Sequence, residues 1–429
     1  MLKIVVDCMF IAISLIFLII NIYCFFKKHN NAILYIYPLI FIFNILPTII
    51  HILFGQADYL YFENATIATR NFSANVTYEI IMIIITIFLW FFSFYDFKKK
   101  RFQCNKIIIS PSKNKKNKVL NYMLVIQTIP IILALVIPSY RGNFLSYGAR
   151  YTVEGVVEIP AYILGISTIA FLYFLLNTEK KYVKKNILSV ILMIITIYLR
   201  GSRAIIATVF AMGFYALILS NKLNFKKALK IILILIPIFM IVFYGYHLFF
   251  RNASESFYSY YSIDFSRDYT TIFSIYAHQN GINILEYPGQ SFIFCLLFWL
   301  PRSIFPWKPY PFATYITLAL LGSNINNVEY LSLRTTTNIF SESIANFGII
   351  FGTIFIIIII VLLIKSIDKV KNINFKFLLI YLAYEIMILD FANWVISFGF
   401  MTIIILLIEY ENVIRDRIKE GINYVKSKI

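Results

Sequence analysis

The sequence predicts an all-α polytopic membrane protein from three observations: composition, the length of its apolar runs, and the side of each run on which lysine collects. Of 429 residues, 60% are hydrophobic and only 14% charged, too little polar surface to cover a water-soluble domain of this size. Apolar runs recur at residues 4–26, 32–54, 77–97, 119–137, 159–176, 187–199, 204–219, 229–250, 344–364, 377–391 and 395–407. Most approach the ~20 residues that a helix needs to cross about 30 Å of hydrocarbon. The expectation is therefore about eleven spans in one transmembrane domain, residues 1–429, seated in a lipid bilayer.

Lysine follows alternate runs: Lys27 and Lys28, then clusters within 98–118, 180–185, 222–230 and 365–376, and a tail ending at Lys428. Cytoplasmic loops carry such clusters, which places the N-terminus outside and the C-terminus in the cytoplasm. Under that topology the inner loops and tail hold 25 Lys and 3 Arg, whereas the outer segments hold 9 Arg and only Lys308. The net charge of +18 is thus sorted by topology rather than gathered into a nucleic-acid surface, so no nucleic-acid partner is expected. Arg70, Arg141, Arg150, Arg200, Arg203, Arg251, Arg267, Arg302 and Arg334 fall on the face where positive charge does not set orientation. A planar, always-charged fork suits bidentate binding of an oxyanion, so the outer face is expected to hold phosphate or pyrophosphate.

The first run is longer than a signal-peptide core and has no small-residue cleavage site, so it should remain a span. Cys8, Cys24, Cys104 and Cys295 form neither a disulfide framework nor a metal-ligand spacing, and neither metal nor cofactor is expected. Asn64, Asn71, Asn75 and Asn252 open Asn-X-Ser/Thr sequons, which we read as a consequence of the Asn-rich composition. The run at 187–199 is about 20 Å long as a helix, short for a crossing. The turn Arg200-Gly201-Ser202-Arg203 is therefore expected below the outer surface, with Ser202 capping the next helix. Two guanidinium groups beside a helix N-terminus would bind phosphate.

Residues 251–343 form the one large outer segment, expected to be a membrane-seated cap, with 291–300 lying along the interface. Within it a helix is expected from Ser266 to Asn280-Gly281. At 100° per residue, Arg267, Thr271, Ser274 and His278 share one stripe, facing either a sugar phosphate or water, with His278 a candidate proton acceptor. Prolines around Arg302 and Lys308 stiffen Leu300-Pro301-Arg302-Ser303-Ile304-Phe305-Pro306-Trp307-Lys308-Pro309 and hold the two cations in place. Arg334-Thr335-Thr336-Thr337-Asn338 then leads to Glu342 at the mouth of the next span. Glu385 and Asp390 are acids within an apolar run, placed there for chemistry or as counter-ions to the arginines.

The Leu199-Arg200-Gly201-Ser202-Arg203 turn, the Leu300-Pro301-Arg302 to Trp307-Lys308-Pro309 stretch and the segment from Arg334 to Gly348 together resemble the bacterial O-antigen polymerase family, the Wzy-type oligosaccharide repeat-unit polymerases. The resemblance implies a GT-C-like fold in the bacterial inner membrane and a large periplasmic loop. It implies undecaprenyl-pyrophosphate-linked repeat units as substrates and a chain-length regulator as partner. Under this reading Arg200, Arg203, Arg267, Arg302, Lys308 and Arg334 bind the pyrophosphate, and the transfer is inverting and metal-independent. His278, Glu342 and Asp390 are the candidate bases. A flippase for the same lipid-linked oligosaccharide and an O-antigen ligase are the alternatives.

Overall fold

The computed structural model describes residues 2–26, 31–59, 62–99, 113–144, 157, 159, 161–200, 203–220, 257–323 and 335–392, with isolated residues within 222–244 and 394–403. Among them the regular structure is helical: α1 Leu2–Phe26, α2 Ile33–Phe54, α3 Glu63–Arg70, α4 Phe72–Lys99, α5 Lys113–Val136, α6 Ala161–Asn177, α7 Val183–Arg200 and α8 Arg203–Leu219. Then come α9 Phe257–Phe265, α10 Asp268–Gln279, α11 Gln290–Leu297, α12 Phe312–Leu320, the run Ile339–Lys369, and Ile373–Ile388. Lys3–Phe25, Ile33–Phe54, Phe72–Phe92, Lys118–Val136 and Ile339–Lys369 are long and apolar enough to cross a membrane. Their exposed side chains are those that lipid would cover, such as Ile4, Met9, Ile16 and Ile19 on α1 and Val125, Ile132 and Leu135 on α5. The chain is an all-helical protein of membrane type; the expected runs at 229–250 and 395–407 fall largely outside the described residues.

The run Ile339–Lys369 is two helices rather than one. Gly348 has φ 76° and ψ 179°, backbone that only glycine adopts readily. A Cβ on Gly352 would stand 2.7 Å from the Ser343 carbonyl oxygen and 2.8 Å from Ile344 Cα. Residues eight apart in a straight helix are ~12 Å apart, so the chain doubles back at Gly348. We name the halves α13 (residues 339–347) and α14 (residues 349–369), and Ile373–Ile388 α15. Phe347 meets Phe355 across the corner at 5.1 Å between ring centroids.

The chain groups into two compact units. The first contains α1 to α4, α9 to α14 and the end of α15. Here α2 is the most enclosed long helix, and α1 seals it through Tyr37, whose hydroxyl donates to the Ser14 carbonyl (3.0 Å), and through Trp90 of α4, stacked on Phe17. Pro47 has no N–H to give the Phe43 carbonyl four residues back, and the preceding turn, Phe41–Ile45, widens to a π-helix. The Phe43 carbonyl instead accepts the Arg267 backbone N–H at 3.1 Å, which ties the start of α10 to the middle of α2. A second apolar cluster joins residues 57–68 to α10 and α12 through Tyr59, Phe62, Tyr269, Phe273, Phe312 and Tyr315.

The second unit holds α5 to α8 and the start of α15. A polar seam crosses its helices: Ser189 Oγ donates to Gln127 Oε1 (3.0 Å), and the Ser167 and Thr196 hydroxyls are 3.2 Å apart. Such bonds are what helices use to associate in lipid, where apolar burial offers no driving force. Lys222 donates to the carbonyls of Leu175 and Leu176, closing the C-terminal end of α6 with a cation. Helix α7 begins at Val183, so it has 18 residues rather than the 13 of its apolar run, about 27 Å. Its first turn carries Lys184 and Lys185, so its apolar part is still residues 187–199.

Candidate functional site

Two buried polar centres form in the first unit, one at the start of α10 and one at the start of α13. Helix α2 presents Asn44, Thr48 and His51 at spacings of four and three, one face of a helix, and all three are buried. Opposite them Asp268, fully buried in the first turn of α10, accepts from the Thr48 hydroxyl at 2.7 Å and from the Ser266 hydroxyl. The same carboxylate lies 3.7 Å from His51 Nε2. His51 Nδ1 is hydrogen-bonded to the Tyr258 hydroxyl, which also donates to the Gly55 carbonyl (2.9 Å), and the Tyr59 hydroxyl lies 3.3 Å from Nε2.

Asn338 stitches this centre together. Its amide donates to Asn44 Oδ1 (2.8 Å) and to the Arg267 carbonyl (3.0 Å), and its own oxygen accepts from the Thr271 hydroxyl and the Ser341 backbone N–H. The Tyr269 hydroxyl pairs with that of Thr335, and the Tyr78 hydroxyl donates to the Asn44 carbonyl.

The helix expected from Ser266 to Gly281 is present, starting two residues later at Asp268, and Gly281 follows its end with φ 67°. Its predicted stripe faces neither water nor an open ligand site. Arg267, Thr271 and Ser274 are buried because both sides of α10 are covered, by α13 and α2 on one hand and by the aromatic cluster on the other. The Arg267 guanidinium turns onto its own chain, donating to the Asp264 (3.1 Å) and Ser266 (2.7 Å) carbonyls, and its Nε has no hydrogen-bond partner. Burial lowers its proton affinity from the usual arginine range, against the pull of Tyr269, Asp264, Tyr384 and Asp268. His278 alone of the stripe is exposed, and its ring covers the corner at Gly348, where a Cβ would come within 2.9 Å of its Cε1.

The second centre surrounds Glu342, fully buried. Oε1 accepts from Ser291 Oγ (2.6 Å) and Oε2 from the Phe391 backbone N–H (2.7 Å), which brings Asp390 beside it. Asn346 donates to Ser291 Oγ and to the Glu342 carbonyl, and Asp390 accepts from the Ala313 N–H at 3.3 Å. Glu342 and Asp390 are thus together, and both are buried. His278 is not part of either centre.

Arg302 and Lys308 do come together, chiefly to shape their own loop. Arg302 donates to the Lys308 and Pro309 carbonyls and stacks 3.7 Å from the Tyr310 ring centroid, while Lys308 Nζ donates to the Phe298 and Leu300 carbonyls, each at 2.9 Å. Lys308 is buried, and burial, then the neighbouring Arg302 charge, lower its pKa. Arg302 is half-buried and keeps donors beyond those two bonds. Arg200 ends α7 in the second unit; the Arg203 side chain, Gly201, Ser202 and Arg334 lie outside the described residues. Asn64 and Asn75 spend their amide groups on the Ala319 carbonyl and on the Thr69 and Asn71 carbonyls, which accounts for two sequons structurally.

His51, Asp268, Asn44 and Asn338 are absent from the sequence-derived set. A histidine one turn after a threonine inside an apolar run was a legible signal for the first. Among the described residues no three His, Cys, Asp or Glu side chains are grouped as metal ligands. Comparison of the chain with protein-family models, with curated proteins and with solved structures gave no match.

Proposed function

We propose that the chain is a Wzy-type membrane glycosyltransferase that polymerises undecaprenyl-pyrophosphate-linked repeat units at the outer face of the bacterial inner membrane. It would have about eleven spans in a GT-C-like arrangement, with its N-terminus outside and C-terminus inside. One observation carries the reading: the basic residues change from Lys to Arg between the inner loops and the outer segments, 25 Lys and 3 Arg against 9 Arg and one Lys. Pyrophosphate is the leaving group of such a transfer, and fixed guanidinium groups in a water-poor site stabilise the charge it develops without a metal ion. Arg200, Arg203, Arg302 and Arg334 serve this role; Lys308 supports it by holding the Arg302 loop.

Two measurements test the reading. A strain lacking the protein should make lipopolysaccharide bearing a single repeat; loss of attached repeats would indicate the ligase, and loss of export the flippase. Purified protein should extend a lipid-linked repeat unit in excess EDTA, and elongation that returns only with Mg²⁺ or Mn²⁺ would sink the arginine mechanism.

A further inference from the structure

The turn that follows α11 is built inside out. From residue 296 to 307 every exposed side chain except Ser303 is apolar, and Leu296, Trp299, Ile304 and Trp307 are each at least 66% exposed. The polar groups point the other way. Lys308 is buried, its ammonium donating to the Phe298 and Leu300 carbonyls, and Arg302 donates to the Lys308 and Pro309 carbonyls. The Trp299 indole N–H donates to the Leu296 carbonyl (3.0 Å), and Pro301, Pro306 and Pro309 have no N–H to satisfy. A loop in water does the opposite, turning its ammonium outward and its tryptophans in. Irregular backbone enters lipid only when its polar groups find partners within the protein, and here two cations supply them to four carbonyls.

The turn also hangs from the end of a span. Phe292 of α11 packs on Phe347, Phe355 and Phe391, with ring centroids 5.6, 5.3 and 5.2 Å away, at the Gly348 corner where α14 begins. The first turn of α14 presents Ile350 and Phe351, each 72% exposed, and Lys365 and Lys369 lie toward its other end. Lysines mark one boundary of this span and the corner marks the other, so the turn leaves α11 beside a membrane–water boundary.

We propose that residues 296–307 are a wedge inserted into the boundary layer of the bilayer, with Trp299, Ile304 and Trp307 below the headgroups and Arg302 and Lys308 behind them on the protein side. The partner is phospholipid, whichever reaction the protein performs. Tryptophan is enriched at this level of a membrane, and apolar side chains there sit about 5–10 Å into the headgroup–acyl boundary. Lipid phosphates complement the two cations behind the tip. The lipid contact expected of a helix over 291–300 thus passes to the turn: α11 ends at Leu297 with Ser291 and Cys295 buried.

The test uses the full-length protein in phosphatidylethanolamine–phosphatidylglycerol vesicles. Tryptophan emission is compared with that of the double variant Trp299→Phe/Trp307→Phe, which keeps Trp90 and Trp394 as common background. The emission lost in the variant should be quenched by brominated lipid, most strongly with bromine near the top of the acyl chains, and not by iodide in the water. Both rings are exposed, so the variant should unfold at the wild-type temperature in detergent; if it does not, the two single variants supply the same difference. Quenching by iodide and not by brominated lipid puts the turn in water and overturns the wedge. Quenching by neither means that protein covers the tip, and strongest quenching from bromine at the chain ends means that the tip lies in the hydrocarbon core; each overturns it as well.

Discussion

Asn338 makes more of the first polar centre than any charged residue does. Its amide bridges the α2 face, the Arg267 carbonyl and the Thr271 hydroxyl, all of them buried. Asn338→Leu leaves several of these groups without partners, each costing about 1–3 kcal/mol, so the protein should unfold many degrees lower in a thermal scan in detergent. Thr48→Val should cost a similar ~1–3 kcal/mol by removing one donor from the Asp268 carboxylate, with Thr48→Ser close to wild type. On the proposed pyrophosphate reading, Arg203→Lys should shorten the polymer nearly as much as Arg203→Ala, because only the fork binds bidentately. Near-normal polymer length in Arg203→Lys would mean that charge alone matters. At this scale the spacing of Arg267, Thr271, Ser274 and His278 was legible. Their surroundings were not, because helical periodicity places side chains on a face without saying what covers it.

Glycine and proline decide the shape of the elements. Gly348→Ala forces a side chain into the Gly-only region and against the His278 ring. It should destabilise by ~1–3 kcal/mol for the backbone alone. Adding His278→Ala should recover the steric part and leave the backbone part, so complete recovery in unfolding temperature would refute the corner geometry. Gly352→Val should be worse still, since its neighbours are the backbone atoms of Ser343 and Ile344, which cannot swing aside. The sequence showed the apolar run at 344–364 as one span; the structure starts its straight helix at 349, after the corner that encloses Glu342. Likewise the run 32–54 showed a span, but not that Pro47 would release the Phe43 carbonyl to the Arg267 N–H. Both features depend on contacts between residues far apart in sequence.

For the whole molecule, the lysine distribution predicts where reporters will read. A reporter fused after Lys118 or Lys185 should report the cytoplasm and one after Gly281 the outside; an external signal at Lys185 would reverse the topology and with it the proposed site. Apolar run length and lysine placement are properties of local sequence, because each helix meets hydrocarbon with its own residues and each loop meets its own side of the bilayer. The sequence by itself therefore determined that this is a helical membrane protein and roughly where its long helices run. Which polar side chains become partners was decided only by tertiary structure. His51 and Asp268 are 217 positions apart, Ser291 and Glu342 51, and they meet because α10 and α13 pack against helices whose buried polar groups have no water to satisfy them. Arg267 shows the same reason in reverse: a residue expected to wait for a ligand is enclosed by its own fold and spends its donors on the carbonyls of Asp264 and Ser266.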